Sequence, residues 1–191
     1  MDSRTLGFWI MIGFTFLWVH WPLGLYPVGT ALAVLELIAA AVLIVLRLHR
    51  RRQRVTLATN PVGAADHAER RATNRIVSVA FCVEFLVIWG AAYLLRSMNV
   101  DLIQPAIAVI VGLHFLLFCL SPATRSVVHI ITAAFGSVAG AAGMWQISTG
   151  ADPATTHAAV GLCIGAITLA YAWIFLQVVP AISREETPGL R

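Results

Sequence analysis

Four side chains in this sequence are of types that exchange protons and stand where such types are costly: Glu36, Glu84, His114 and His129. Glu36 and Glu84 lie near the middle of apolar runs, where an ionised carboxylate costs about 2.5 to 3.5 kcal/mol even on insertion scales. His114, in Gly112-Leu113-His114-Phe115, falls within a further apolar run, and His129 near the start of the run after it. A carboxyl group beside an imidazole is a simple proton relay, because the imidazole changes charge near neutrality and each group can hand a proton to the other. The chemistry implied is the movement or sensing of a proton or small solute, with Glu84 and His114 as the relay and Glu36 as a third member. No residue is expected to act as a nucleophile.

These residues need a bilayer around them. Hydrophobic residues make up 59% of the 191-residue chain and charged residues only 12%, with a mean hydropathy of +0.83. Soluble domains carry about 25% charged residues. The apolar residues fall in long unbroken runs, whereas a soluble amphipathic helix interrupts its stripe with charges every turn. All thirteen basic residues are Arg, which together with the abundant Ala, Val, Leu and Gly suggests a GC-rich bacterial genome. Most of the Arg residues cluster beside one span, so membrane orientation accounts for the basic balance and no nucleic-acid partner is implied. Cys82, Cys119 and Cys163 sit singly inside apolar runs, without metal-ligand spacing, and read as small buried hydrophobes. No metal or other cofactor is implied by a motif. The start of the chain carries little positive charge and has no small-residue cleavage site, which reads as an uncleaved first span.

The expected fold is an all-α polytopic bundle, a single membrane domain over residues 1–191. Its six transmembrane helices fall at about 6–21, 28–46, 76–95, 102–120, 126–147 and 153–179, with a cytoplasmic loop over 47–75. Pro22, Gly24 and Pro27 break the first span from the second. Arg47 to Arg54 end the second, and after an Asn60-Pro61 turn residues 64–74 have helical composition that extends the third span, with Asp66 and Arg70 four apart. Asp101 is placed to cap the fourth helix with Gln104 reaching back to it. Ser121-Pro122 follows that span. Asp152 followed by Pro153 opens the sixth, which stops at Pro180. With both termini in the cytoplasm, every Arg but Arg96 falls on the inner side. Trp18, Trp21, Tyr26, Trp89, Tyr93 and Trp145 then fall near the outer ends of their spans, as an interfacial belt.

On this topology Glu84 and His114 differ in depth by only about 3 Å at a helical rise of about 1.5 Å per residue, so they can touch. Glu36 lies deeper. Small residues flank both acids, with Gly29, Ala33, Ala39 and Ala40 around Glu36 and Ala80 and Ala91 around Glu84, so each acid is expected to point into the bundle. His129 shares a face with Arg125, Ala133, Gly136 and Gly140 and lies close to the interface. The competing reading makes these polar residues hydrogen-bonding glue between helices, worth about 0.6 kcal/mol each. Gly136, Gly140, Gly143, Gly161 and Gly165 form flat small-residue faces on the fifth and sixth spans. They suit packing of those two spans on each other, or a homo-oligomer or membrane partner. The Arg47-to-Arg54 run can hold anionic lipid headgroups in addition to fixing topology.

Phosphate-loop, zinc-helix and nucleophile-elbow motifs are missing from the sequence, which removes support for ATPase, metalloprotease and hydrolase functions. Its prolines sit at span ends, unlike the broken helices of many transporters. Two alternatives to the relay remain. One is a non-catalytic membrane subunit or interaction protein. The other is b-type haem electron transfer, with His114 and His129 on the inner side and His20 and His157 on the outer. The stretch from Asp101 to Phe115, Asp-Leu-Ile-Gln-Pro-Ala-Ile-Ala-Val-Ile-Val-Gly-Leu-His-Phe, with Glu84 upstream, resembles uncharacterised small bacterial multi-pass membrane proteins that share a Pro-Ala-Ile-Ala…Gly-Leu-His-Phe segment. In those proteins His-Phe is commonly followed by Leu-Pro-Leu-Ala, whereas here Leu116-Leu117-Phe118-Cys119 follows. The resemblance implies a membrane location and draws attention to His114, and the expected location is the bacterial cytoplasmic membrane. It implies no activity.

Overall fold

The computed structural model describes residues 3–25, 27–55, 64–120 and 126–177. Six α-helices follow one another: α1 Ser3–Leu23, α2 Val28–Val55, α3 Ala64–Met98, α4 Ile103–Leu117, α5 Val127–Ser148 and α6 Pro153–Gln177. Short 3-10 turns lead into α4 and out of it, and the described residues contain no strand. All six helices contain a stretch long and apolar enough to cross a membrane. Their outward faces carry large apolar side chains such as Val28, Phe85, Leu86, Trp89, Phe135 and Val138, all exposed. Lipid is the solvent such faces require, and helices are the form in which a chain satisfies its own backbone there. The chain is a multi-pass membrane protein.

Several helix ends differ from those the sequence suggested, each for a local reason. Pro22 does not break α1, which runs through it to Leu23. A proline in the final turn removes one amide and leaves the preceding bonds intact. Beyond it the Leu25 amide donates to the Pro22 carbonyl and the Thr30 hydroxyl to that of Leu23, satisfying carbonyls the helix end leaves open. The charge run over 47–54 is not a loop either, because α2 continues to Val55 and α3 starts at Ala64. Arginine favours a helix about as well as leucine does, so the end of the hydrocarbon need not be the end of the helix. The Asn60-Pro61 turn, Ser121-Pro122, Arg125, Tyr26 and the chain from 178 onward lie outside the described residues, as do the side chains of Asp66 and Arg70. Residues 64–74 do extend the third helix as expected.

Asn99, not Asp101, caps the start of the α4 region. Its backbone is extended and its side-chain oxygen accepts from the Asp101 amide at 3.0 Å. Gln104 does not reach back; its amide group donates across to the His157 carbonyl at 3.2 Å. At α6 the expected cap is present, with Asp152 accepting from the Thr155 amide at 2.8 Å and hydroxyl at 2.6 Å. Those two bonds hold the exposed Asp152 carboxyl below its usual value of 3.8.

Two tight pairs organise the bundle. One is α1 with α6, which run antiparallel, and the other is α4 with α5; α5 against α6 joins them. On the flanks, α2 packs on α1 and α6, and α3 packs chiefly on α4 while barely touching α1. Among apolar helices in lipid, close backbone approach replaces the hydrophobic effect as the source of affinity, and glycines mark several of the close approaches. A Cβ on Gly112 would stand 2.8 Å from the Gly136 backbone, and one on Gly140 2.5 Å from the Pro105 carbonyl oxygen. Thus Gly136 and Gly140 fit α5 to α4, Gly161 fits α6 to α1, and Gly165 fits α6 to α2. Gly143, between Val160 and Pro105, serves the expected α5/α6 seam, where Gly136 also comes within contact distance of Ile164.

Two further expectations are corrected by burial. Trp18 is core, 3% exposed, and no part of a belt, whereas Trp21, Trp89, Tyr93 and Trp145 are exposed. Cys82 and Cys163 are exposed and Cys119 partly so; being apolar, they need only lipid, not a protein core.

Candidate functional site

Glu84 on α3 and His114 on α4 face each other. The His114 Nδ1 lies 3.2 Å from Glu84 Oε2, with both side chains buried. Their helices are matched in depth and packed together, and Ala80, one turn before Glu84 and itself buried, lets α4 come close. The Ala80 backbone also offers the imidazole a hydrogen bond. Three aromatic rings surround His114, with centroids 5.0 Å (Phe81), 5.6 Å (Phe115) and 5.0 Å (Phe118) away.

Polar bonding at this pair is incomplete. Glu84 Oε1 and His114 Nδ1 have no hydrogen-bond partner among the described residues, the close Nδ1 contact lacking hydrogen-bond geometry. A buried polar atom without a partner costs about 1 to 3 kcal/mol. Most buried polar atoms in folded proteins are paired.

Both residues line a cavity of about 210 Å³ between α1, α3, α4, α5 and α6. Its walls are largely aromatic and aliphatic, including Phe14, Phe81, Phe115, Phe118 and Phe175. His129 and Tyr171 join Glu84 and His114 on the wall, so three of the four residues singled out from the sequence share one space. The Tyr171 hydroxyl bonds His129 Nδ1, and the His129 ring stacks on Phe115 and meets Phe118 at a tilt of 41°. Tyr171 escaped the sequence reading. A tyrosine deep in an apolar helix has a hydroxyl that must find a partner, and that was the available signal.

Thr15 and Thr168 also went unnoticed. Their hydroxyls lie 2.8 Å apart, while Thr15 is within bonding distance of the Met11 carbonyl and Thr168 of the Gly165 carbonyl. Two hydroxyls own two hydrogens, so only two of these three contacts are hydrogen bonds at once. Thr168 lines the cavity, which places a rotatable donor on its wall.

Glu36 is elsewhere. It is half-buried on the α2/α6 seam, its carboxylate lying in the space that Gly165 leaves by having no side chain. Its Oε2 has no partner among the described residues, and it does not line the cavity. Depth does not fix which way a helix face points, and α2 turns Glu36 toward α6.

Two arginines of the charge run have structural roles. Arg47 donates to the Thr5 hydroxyl and stands over the Phe8 ring at 5.6 Å, and Arg50 donates to the Leu176 carbonyl at 2.7 Å. The latter meets a carbonyl that the end of α6 leaves open, where positive charge is also favoured by the helix dipole. Side chains of 51–54 lie outside the described residues.

The histidines do not form two like pairs. His157 gives its Nε2 to the Asp101 carbonyl at 2.7 Å, and Trp21 lies 4.7 Å from the His20 ring and 5.0 Å from that of His157. No family model, no curated protein and no solved structure matches this chain.

Proposed function

We propose that this chain is a proton or small-solute carrier or sensor of a bacterial cytoplasmic membrane, working through Glu84 and His114. The observation that carries the reading is the pair itself: an acid and an imidazole 3.2 Å apart, buried among apolar side chains on a cavity wall, with one atom of each left without a hydrogen bond. Such a pair holds one mobile proton. It is either a neutral acid beside a neutral imidazole or an ion pair, and these states differ in how they polarise the cavity. A carrier or sensor needs two states of that kind separated by a small free energy. His129 and Tyr171, on the same wall, supply the next donor and acceptor. Glu36 is a separate acid whose participation requires a connection through α6.

The distribution of arginine supports both termini in the cytoplasm, and the antiparallel α1/α6 pair supports their lying on one side. The likeness of the Asp101-to-Phe115 segment to bacterial membrane proteins supports the location. Reconstitution into proteoliposomes with an internal pH dye tests the function. Glu84→Gln and His114→Ala should each abolish Glu84-dependent flux while Glu36→Gln reduces it less, and full activity in Glu84→Gln would sink the proposal.

A non-catalytic membrane subunit is the second reading, favoured by the exposure of α3, where Leu86, Trp89 and Tyr93 all face outward. Co-purification of a stoichiometric partner, lost on substitution of those residues, would support it. Haem ligation has less in its favour, because His157 Nε2 is already spent on a backbone carbonyl.

A further inference from the structure

A proton by itself needs no cavity of about 210 Å³. A water-filled relay would need polar walls, since water in a cavity requires two to four partners. Here the walls are mainly aromatic and aliphatic, and Met11, Val111 and Phe115 among them are almost wholly buried. The volume fits an apolar body. What such a body must carry follows from the unspent polar atoms. Glu84 Oε1 is an acceptor when the carboxyl is ionised, and it has no donor among the described residues. His129 and Tyr171 already share a hydrogen bond. An anion would meet the Glu84 carboxylate, and a sugar-like solute would leave most of its hydroxyls unpaired against phenyl rings. A cation is favoured twice, by the carboxylate and by the ring faces of Phe81, Phe115 and Phe118, which attract positive charge.

The approach from lipid is consistent with this. Between α1 and α3, which scarcely touch, Phe14 and Phe81 stack with centroids 6.5 Å apart and planes 14° from parallel. Both rings are half-buried and line the cavity, so an aromatic pair stands where α1 and α3 part.

We infer that this cavity binds a lipophilic molecule carrying one protonated amine, its N–H donating to Glu84 Oε1 and its apolar body lying among Phe14, Phe81, Phe115 and Phe118. The inference rests on the reading of Glu84 as a working acid and names what that acid recognises. Proton exchange with His114 then sets whether the carboxylate is available to the amine.

Equilibrium dialysis of the full-length protein in detergent, against empty micelles, provides the test. The probes are phenethylamine, its neutral isostere propylbenzene and the anion hydrocinnamate. Saturable binding of the amine is expected, with propylbenzene and hydrocinnamate each weaker by about tenfold or more, the loss for one charge-assisted hydrogen bond. Glu84→Gln, checked for folding by its melting profile, should weaken the amine alone by a similar factor, while Glu36→Gln leaves it unchanged. If Glu84→Gln fails to fold, the ranking of the three probes on wild type decides. No saturable amine binding, equal binding of amine and propylbenzene, or amine binding indifferent to Glu84→Gln in a folded protein would overturn the inference. Glu84-dependent proton flux without amine binding removes this inference and keeps the relay, whereas Glu84-dependent amine binding without any flux does the reverse.

Discussion

Gly161 of α6 packs against the carbonyl oxygen of Trp18 in α1, where a Cβ would stand 2.8 Å from that oxygen. In a regular helix the Trp18 carbonyl would accept from the amide of residue 22, but that residue is Pro22 and has none. The proline ring flanks the same contact, with its Cδ 3.2 Å from the same Cβ position. A helix-breaking residue and a side-chain-free residue on another helix thus fit one another, and the oxygen that proline leaves open faces the glycine backbone, a setting in which Cα–H donors are common. Gly161→Leu is expected to lower stability by about 1 to 3 kcal/mol or more through overpacking, read as a fall in the melting temperature in detergent. A melting temperature unchanged from wild type would mean that α1 and α6 do not meet at this point.

Gly140 separates packing within one chain from pairing between chains. A Cβ there would stand 2.5 Å from the Pro105 carbonyl oxygen and 2.6 Å from the Val109 amide nitrogen, both backbone atoms of α4 that cannot yield as a side chain can. Gly140→Leu should therefore destabilise the monomer, again by about 1 to 3 kcal/mol, with no change in oligomeric state by light scattering of whatever fraction remains folded. A stable protein that merely shifts from dimer to monomer would assign Gly140 to an interface between copies.

The spans were legible because a bilayer imposes one rule on every residue between its faces, and long apolar runs are the direct trace of that rule. The Glu84 and His114 contact was legible for the same reason, since two consecutive spans must be antiparallel neighbours in depth. What hydropathy does not encode is rotation about each helix axis. Glu36 shows this, because its small neighbours announced a buried face without saying that the face meets Gly165. Trp18 shows it too: depth suggested the interface, but rotation turned the ring into the α1/α6 core. Glycine pairing was hidden likewise, since a flat face fits any partner and only the assembled bundle puts Gly136 against Gly112. Tyr171, Thr15 and Thr168 were missed because a single hydroxyl in an apolar run looks like a minor blemish until its partner from another helix is beside it.

Asp152 offers a pH-dependent prediction outside the membrane. The Thr155 hydroxyl and amide hold its carboxyl below the usual 3.8, so the folded state binds the proton more weakly than the unfolded one. The cap's contribution is therefore fully present above the unfolded value and is lost as pH falls through the lower, folded value. Asp152→Ala should lower the melting temperature at neutral pH, and the difference from wild type should shrink toward zero as pH is taken to about 2 to 3. A difference independent of pH would show that the cap works through geometry without its charge.

Tyr171→Phe should reach the cavity without touching the acid. Removing the hydroxyl deprives His129 Nδ1 of its Tyr171 partner while keeping the ring that packs 5.1 Å from Phe115 and 5.0 Å from Phe175. A modest loss of stability is expected, about 0.5 to 1.5 kcal/mol for one side-chain hydrogen bond, together with reduced flux if His129 is the next station after His114. Unchanged flux with lowered stability would confine the His129 and Tyr171 bond to holding α5 against α6.

The sharpest test of Glu84 and His114 is a double-mutant cycle on thermal stability, comparing wild type with Glu84→Gln, His114→Ala and both together. If the pair were structural glue, each single change would orphan the other member, and the singles would be strongly destabilising with a coupling above about 1 kcal/mol. The structure argues otherwise. Glu84 Oε1 and His114 Nδ1 are already without hydrogen-bond partners among the described residues, so a neutral amide at position 84 gives up little that the wild type has and avoids placing an ionisable carboxyl among phenyl rings. Glu84→Gln is thus expected to leave the melting temperature unchanged or raised, with coupling below about 1 kcal/mol. On the proposed reading the acid works at a cost to stability, and the same variant should then be the one that loses flux.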